Sequence, residues 1–267
     1  MNSLIEASRQ LLGLPVLASK HGYEVDKFIV LVHWLMIVLF IGWFTYFVYA
    51  LFRFSAKRNP KADHTGVRNH ASNYIEVIVA VIEGVLLFAF AIPLWAQAVA
   101  EFPDPKTSTV VKVAAQQFSW NILYPSQNAE LKGQDPVFPK QEFKWVAADN
   151  PFGVDKKDME EKKCLQTLNE LHVPVNKPVI VYLTSKDVIH SFKVIAMRIT
   201  QDAIPGMMIP TQFTPNTVGV YQINCAQLCG QGHASMAGGR LHVDTQEDYD
   251  KWMASKTKSG GAATSFE

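Results

Sequence analysis

Four side chains that bind soft metal ions lie close together near the end of the chain. The segment reads Cys225-Ala-Gln-Leu-Cys229-Gly-Gln-Gly-His233-Ala-Ser-Met236, with two thiols, an imidazole and a thioether. Thiolate and thioether sulfur favour copper over hard cations, and mixtures of histidine, cysteine and methionine are common in copper electron-transfer sites. The sequence therefore predicts a copper site here.

The second cysteine indicates more than one metal ion, because a single blue copper uses only one thiolate. Two thiolates can each bridge two ions and hold them close enough to share one electron. A distant histidine would complete the set, and the candidate is His190, where two predicted strands meet. The alternatives are a turn role for His190, a zinc site or disulfide at Cys225 and Cys229, and core packing for Met236.

Composition narrows the function classes. The formal net charge is +1, so no strong field indicates nucleic acid or an acidic substrate as the partner. Three cysteines are too few for a disulfide scaffold. Cys164 has no histidine or cysteine nearby in sequence and is predicted to be a bystander thiol.

Two apolar runs precede the metal-binding part. Residues 28–54 and 75–100 are each long enough to cross a hydrocarbon core of roughly 30 Å. The second run carries Glu76 at its start and Glu83 inside, and Glu83 is expected to face protein instead of lipid. We predict a transmembrane helical hairpin over residues 28–100.

The loop between the two runs sets the predicted orientation. It contains Arg53, Lys57, Arg58, Lys61 and Arg68 against Asp63 alone. Short basic loops stay in the cytoplasm, so both termini are predicted to lie outside. Residues 1–27, with the short apolar patch LLGLPVLAS, are predicted to form an external segment, with a cleavable signal as the alternative.

Residues 103–254 are predicted to form an external all-β Greek-key sandwich or barrel. Short β-branched and aromatic runs bounded by turn formers cover 109–114, 178–184, 191–195, 219–223 and 239–243. The polar segment 125–172 is predicted to be an insertion, with a short helix from Asp155 to Leu171. Residues 255–267 are small and polar and are predicted to form a disordered tail.

The order of these features resembles subunit II of the haem-copper cytochrome c oxidases. Two apolar spans are followed by His190-Ser-Phe192, then Asp202-Ala-Ile-Pro-Gly206, then Cys-x3-Cys-Gly-x2-His-x2-Met. The resemblance covers residues from about 21 to 253 and is weakest over 125–172. It implies a cupredoxin-like domain with the dinuclear copper centre called CuA.

The resemblance also implies a ligand for each position. Cys225 and Cys229 would bridge the two copper ions. His190 and Met236 would complete one copper, and His233 with the backbone carbonyl of Gln227 would complete the other. Family members commonly carry a glutamate at the position of Gln227, where it reaches a magnesium ion at the border with subunit I. The amide puts that magnesium ion in doubt.

Further expectations follow from the same family. Electrons would enter near Phe118 and Trp120, since the family often has Gln-Trp-Tyr-Trp where this chain reads Gln117-Phe-Ser-Trp120. Phe118 in place of tryptophan indicates an altered docking site for the electron donor. The donor could then be a cytochrome c held within a larger assembly. Glu76 would lie at the cytoplasmic mouth of a proton channel into the catalytic subunit, with a solvated acid in the first turn of the helix as the alternative.

The implied function is one-electron transfer from a c-type cytochrome to haem in subunit I, where oxygen is reduced and protons are pumped. The implied location is a bacterial inner membrane, in a complex with subunit I and other oxidase subunits. Three alternatives remain: a copper-free quinol oxidase subunit II, a CuA subunit of a nitric-oxide or nitrous-oxide reductase, and a copper delivery protein.

Overall fold

The computed structural model of the chain describes residues 2–61, 64, 70–128, 130 and 134–258. The chain divides into a helical unit, residues 1–14 and 24–97, and a β unit, residues 15–23 and 98–267. Asp63 and Arg68 of the predicted basic loop lie outside the described residues, as do residues 259–267 of the predicted tail.

The first long helix begins earlier than predicted. A short helix, α1, covers Asn2–Leu11, and α2 covers Gly22–Arg53. Glu24 in the first turn and Arg53 in the last turn of α2 complement the helix dipole. Only 6% of the most apolar window of α2 is buried inside the protein, so its apolar side chains require an apolar environment outside the chain.

The second long helix contains a π turn. Its parts are α3, Ala71–Val85, the π turn Leu86–Ala91, and α4, Ile92–Val99. The π turn ends two residues before Pro93, which has no N–H and would clash with the carbonyl four residues earlier in a regular helix. None of the most apolar window of this helix is buried.

A buried ion pair fixes α1 to α2 within the helical unit. Arg9 Nε donates to the carboxylate Oδ2 of Asp26 at 2.9 Å, and the Asp26 side chain is completely buried. Part of the predicted external segment, residues 1–27, is therefore a helix packed on the first long helix.

The β unit is a sandwich of two five-stranded sheets within the described residues. Its interior side chains include Trp120 and Phe192, whose rings meet edge to face at 5.4 Å. The predicted fold class is confirmed: two long apolar helices are followed by an all-β domain. The strands are β1 Thr109–Gln116, β2 Ser119–Tyr124, β3 Leu165–Leu168, β4 Glu170–Pro174, β5 Val179–Ser185, β6 His190–Val194, β7 Ile199–Ala203, β8 Ile209–Phe213, β9 Gly219–Cys225 and β10 Gly239–Asp244. The strand order is β3-β2-β1-β5-β8 in one sheet and β4-β10-β9-β6-β7 in the other.

Residues 15–23 are built into the sandwich. The hydroxyl of Ser19 donates to the carbonyl of Met197 at 2.8 Å, and the carbonyl of Ala18 accepts from the N–H of Asn216 at 2.9 Å. Ser19 and Ala18 are completely buried. This N-terminal stretch is thus a structural part of the β unit.

The predicted helix from Asp155 to Leu171 is wrong over its second half. The helix α5 covers only Lys156–Glu161, and its start is capped by the carboxylate of Asp155. Lys163 then takes a left-handed conformation, φ 52°, and β3 follows with alternating buried and half-buried residues. The two-residue period of burial, which a helix cannot satisfy, decides the structure here.

The chain continues as a helix beyond the predicted domain boundary. Helix α6 covers Gln246–Lys258, so residues 255–258 of the predicted disordered tail are helical. Glu247 and Asp248 lie in its first turn, where negative charge stabilises a helix.

Candidate metal centre

Strand pairing brings the predicted ligands together at one end of the sandwich. Strands β6 and β9 are antiparallel neighbours, with Phe192 opposite Cys225. His190 at the start of β6 therefore lies beside the loop that follows Cys225. The loop ends in a 3₁₀ turn, His233–Gly238, which carries the remaining histidine and methionine.

The two thiols lie at the centre of the cluster. Cys225 Sγ and Cys229 Sγ are 4.0 Å apart, about twice the length of a disulfide bond, so the two cysteines are not covalently linked. Cys225 Sγ also lies 3.0 Å from the carbonyl oxygen of Gln227. Cys229 Sγ lies 3.4 Å from His233 Nδ1.

The thioether and the distant histidine close the cluster. Met236 Sδ lies 3.1 Å from His190 Nδ1 and 3.4 Å from Cys229 Sγ. His190 Nδ1 is 4.0 Å from Cys225 Sγ. All six predicted ligand groups thus form one continuous set of contacts.

Water is largely excluded from one side of the cluster. His190 and Met236 are completely buried, and Cys229 is 4% exposed. Trp120 covers the site from inside the sandwich, where its indole N–H donates to the carbonyl of Met236 at 3.0 Å. Leu228, in the loop between the two cysteines, is 77% exposed. His190, Met236 and Cys229 are therefore shielded from water, whereas the loop between the cysteines reaches the protein surface.

The two thiols of the cluster need a bound cation to ionise together. Burial, and then the neighbouring Cys225, raises the pKa of Cys229 to about 11. Two close thiols in a buried site do not ionise together unless a positive charge compensates them. Copper would supply that charge and displace the thiol protons, and the soft sulfur donors fit it.

Two residues that the sequence analysis did not identify hold the ligands in place. The carboxylate of Asp187 accepts from His190 Nε2 at 2.8 Å and from the backbone N–H of Gln117 at 2.7 Å. The side-chain amide of Gln117 donates to the carbonyl of Cys229 at 2.7 Å. Burial would raise the pKa of Asp187, but the hydrogen bonds that its carboxylate accepts from the Gln117 N–H and from His190 outweigh burial and keep the pKa below its ordinary value. The sequence feature that could have identified Asp187 is its position three residues before the predicted ligand His190.

The turn that carries Phe118 packs directly on the metal-binding loop. A side chain at Gly230 would place its Cβ 2.9 Å from the amide nitrogen of Gln117, and the Phe118 ring fills the space beside Gly232. Phe118 is half-buried here, whereas Trp120 is completely buried and has no surface that a partner protein could touch.

The other predicted residues lie elsewhere. Glu76 is an exposed residue of α3 in the helical unit. Cys164 belongs to a separate apolar cluster with Phe152 and Val154, formed where segment 125–172 packs on the outside of β1 and β2.

The sequence of the chain is similar to those of known proteins. Residues 108–239 match the family model for the periplasmic domain of cytochrome c oxidase subunit II. The chain is 28% identical to the alternative cytochrome c oxidase subunit 2 of Bradyrhizobium diazoefficiens, over 92% of this chain and 84% of that protein. It is 30% identical to cytochrome c oxidase subunit 2 of Cereibacter sphaeroides, over 83% of this chain and 75% of that protein.

A solved structure also aligns with the chain. The periplasmic domain of subunit II of cytochrome oxidase (CoxB) of Bradyrhizobium japonicum is 26% identical, covering 61% of this chain and all of that one, with a TM-score of 0.41. The segment matched by the family model contains all six predicted ligand groups.

Proposed function

Because the chain belongs to the cytochrome c oxidase subunit II family, we propose that it is the membrane-anchored subunit at which electrons from a c-type cytochrome enter an oxidase. The observation that carries this proposal is the convergence of two thiols, two imidazoles, a thioether and a carbonyl at one end of the β unit. Structural packing alone would not require this combination of soft donors.

The proposed cofactor is the dinuclear CuA centre. Cys225 and Cys229 would bridge the two copper ions, His190 and Met236 would bind one, and His233 with the Gln227 carbonyl would bind the other. The contact between His190 Nδ1 and Met236 Sδ supports the first pairing. The chemistry that the bound copper pair supplies is one-electron transfer from the cytochrome to haem of subunit I, where oxygen is reduced and protons are pumped.

The surrounding residues fix the geometry of the ligands. Asp187 accepts a hydrogen bond from the Nε2–H of His190, so the Nδ1 lone pair faces the sulfur atoms. Gln117 fixes the loop at Cys229, and Trp120 fixes it at Met236. A ligand set that moves little between redox states is the protein's main contribution to fast electron transfer.

The proposed docking surface for the cytochrome surrounds Phe118. Phe118 is partly exposed and contacts Gly230 and Gly232 in the metal-binding loop. The buried Trp120 would act as a wall of the site. The replacement of the usual tryptophan by Phe118 favours a donor held within a larger assembly.

Membrane topology and further partners complete the proposal. In the proposed topology, the two long helices anchor the protein in a bacterial inner membrane. The basic loop between them would stay in the cytoplasm, so that both termini and the β unit would lie outside. Subunit I is the proposed partner of the helices, with Glu76 at the mouth of its proton path. Gln227 offers a neutral amide, a weaker magnesium ligand than a carboxylate, so no magnesium role is proposed for its side chain.

Oxidation of reduced cytochrome c by the assembled oxidase tests the proposal. Cys229→Ser should abolish this activity, whereas Cys164→Ser, which changes a thiol outside the cluster, should retain it. Equal activity of the Cys229→Ser complex would contradict the proposal. The subunit that copurifies separates the alternatives, since a nitric-oxide or nitrous-oxide reductase partner, or quinol oxidation without cytochrome c, would reassign the protein.

A further inference from the structure

A second cluster of metal-binding side chains lies on the neighbouring strands β4 and β10. Strand β4 carries Glu170 and His172, and β10 carries His242 and Asp244. The strands pair in parallel with His242 directly beside His172. Because residues two apart in a strand point to the same face, all four side chains gather on one face of the sheet.

His172 is the centre of this cluster. Its Nδ1 lies 2.6 Å from Asp244 Oδ2, and its Nε2 lies 3.1 Å from Glu170 Oε1. The residue is 7% exposed. Its ring is stacked between Trp252 of α6, at 4.0 Å, and His242, at 4.2 Å.

These contacts require a cation at Nε2. A neutral imidazole has a single N–H, and the shorter contact with Asp244 uses it at Nδ1. The lone pair of Nε2 then faces an oxygen of Glu170, and two acceptors attract only when a proton or a metal ion lies between them. His242 is also within reach, since donor atoms of Glu170, His172 and His242 all lie within 4.8 Å of one another.

We propose that Glu170, His172 and His242 bind one divalent transition-metal ion of the Zn²⁺ class. Two imidazoles and a carboxylate match the borderline donor set of zinc, with water as the fourth ligand. Asp244 orients His172 through the other ring nitrogen, as carboxylates do behind metal-bound histidines. The proposal is independent of the copper site, because no residue is shared.

One local rearrangement accompanies binding. A metal ion lies in the plane of each imidazole that binds it, so the half-exposed His242 ring turns out of its parallel stack on His172. Lys256 Nζ lies 3.0 Å from Glu170 Oε2, which leaves Oε1 for the metal.

When His172 is doubly protonated, the Nε2 proton passes to solvent as the metal–nitrogen bond forms, with no change of oxidation state. Among the described titratable groups, Glu170 on its own strand, His242 and Asp244 on β10 and Tyr124 on β2 contact His172, and Lys256 on α6 contacts Glu170.

Zinc uptake by the purified full-length chain tests the proposal. The titration uses equilibrium dialysis against Zn²⁺, with metal content measured by mass spectrometry. A Cys225→Ser/Cys229→Ser variant removes the two thiols of the copper site. We expect one zinc ion per chain in that background, with proton release measured by calorimetry in two buffers.

The variants assign the ligands. His242→Ala changes a half-exposed residue and should weaken zinc binding by at least about tenfold, as should Asp244→Asn through its effect on His172. Lys256→Met removes a nearby positive charge and should leave binding intact or tighter. His70→Ala, an exposed histidine of the helical unit, is the matched control and should change nothing.

Two results would overturn the proposal. One is that the cysteine double variant takes up no zinc, which would mean that only a proton lies between Nε2 of His172 and Glu170. The other is equal zinc affinity in His242→Ala and the parent chain, with circular dichroism confirming that both are folded. Either result would leave the copper proposal untouched.

Discussion

The imidazole Nε2 of His190 lies 2.8 Å from the carboxylate oxygen Oδ1 of Asp187, and this contact decides which ring nitrogen faces the metal centre. With Nε2 carrying the proton, Nδ1 presents its lone pair to Met236 and Cys225. Asp187 also accepts from the backbone N–H of Gln117. A single carboxylate therefore links the ligand histidine to the turn that carries Phe118.

Loss of this carboxylate should weaken copper binding without unfolding the domain. We expect Asp187→Ala to lower copper affinity about 10- to 100-fold, the usual effect of removing a partner that orients a metal-bound histidine. Competition with a copper chelator measures the change. Asp149→Ala, which removes an exposed carboxylate paired with Lys156, is the control. Unchanged affinity in Asp187→Ala would show that packing alone orients His190.

The space beside Gly232 should tolerate no side chain. Its backbone, φ −86°, suits alanine, but the added Cβ would collide with the ring of Phe118. We expect Gly232→Ala to destabilise the domain by about 1 to 3 kcal/mol in denaturant unfolding and to displace Phe118. Gly238→Ala has open space around the new Cβ and should be nearly neutral. Equal stability of the two variants would contradict this packing.

Ser19 should stabilise the β unit although it precedes the first long span. Its buried hydroxyl donates to the carbonyl of Met197. We expect Ser19→Ala to lower the free energy of unfolding by about 1 to 2 kcal/mol, because the carbonyl loses a partner in a dry site. Thr217→Ala removes an exposed hydroxyl and serves as the control. A neutral Ser19→Ala would mean that residues 15–23 add little to the stability of the sandwich.

Cys164 should react slowly with alkylating reagents at neutral pH. Burial raises the pKa of its thiol from 9.0 to about 11, so the thiolate fraction at pH 8 is about one in a thousand. Because the thiolate is the nucleophile, the rate of iodoacetamide labelling should rise about tenfold per pH unit until the pH approaches this pKa. Mass spectrometry of the labelled peptide measures the labelling rate, with the urea-unfolded chain as the reference. Rapid labelling of the folded chain at pH 8 would contradict the burial of this thiol.

The copper-binding residues could be predicted from sequence because they are concentrated in one short motif. Cys225, Cys229, His233 and Met236 lie within one loop, and a local pattern of soft donors identifies them. His190 was recognisable from its place between two predicted strands and from the family resemblance. The ends of β1, β5 and β9 were close to prediction, since β-branched runs bounded by turns mark them.

Features that depend on distant contacts could not be predicted in this way. Asp187 and Gln117 are 70 residues apart in sequence, and neither carries a local signal for its hydrogen bond to the other. Strand β3 was predicted as part of a helix because the charged residues on either side of it hide its two-residue period. Ser19 lies 178 residues from its partner Met197, so only the folded chain reveals the role of the N-terminal segment.

The most direct test of the proposed function is electron paramagnetic resonance of the copper-loaded, full-length chain together with copper quantification. Two copper ions per chain and a seven-line hyperfine pattern, lost in Cys225→Ser and retained in Cys164→Ser, are the predicted result. Seven lines arise only when one unpaired electron is shared equally by two copper nuclei. One copper ion with a four-line signal, or no bound copper, would contradict a dinuclear centre at Cys225 and Cys229.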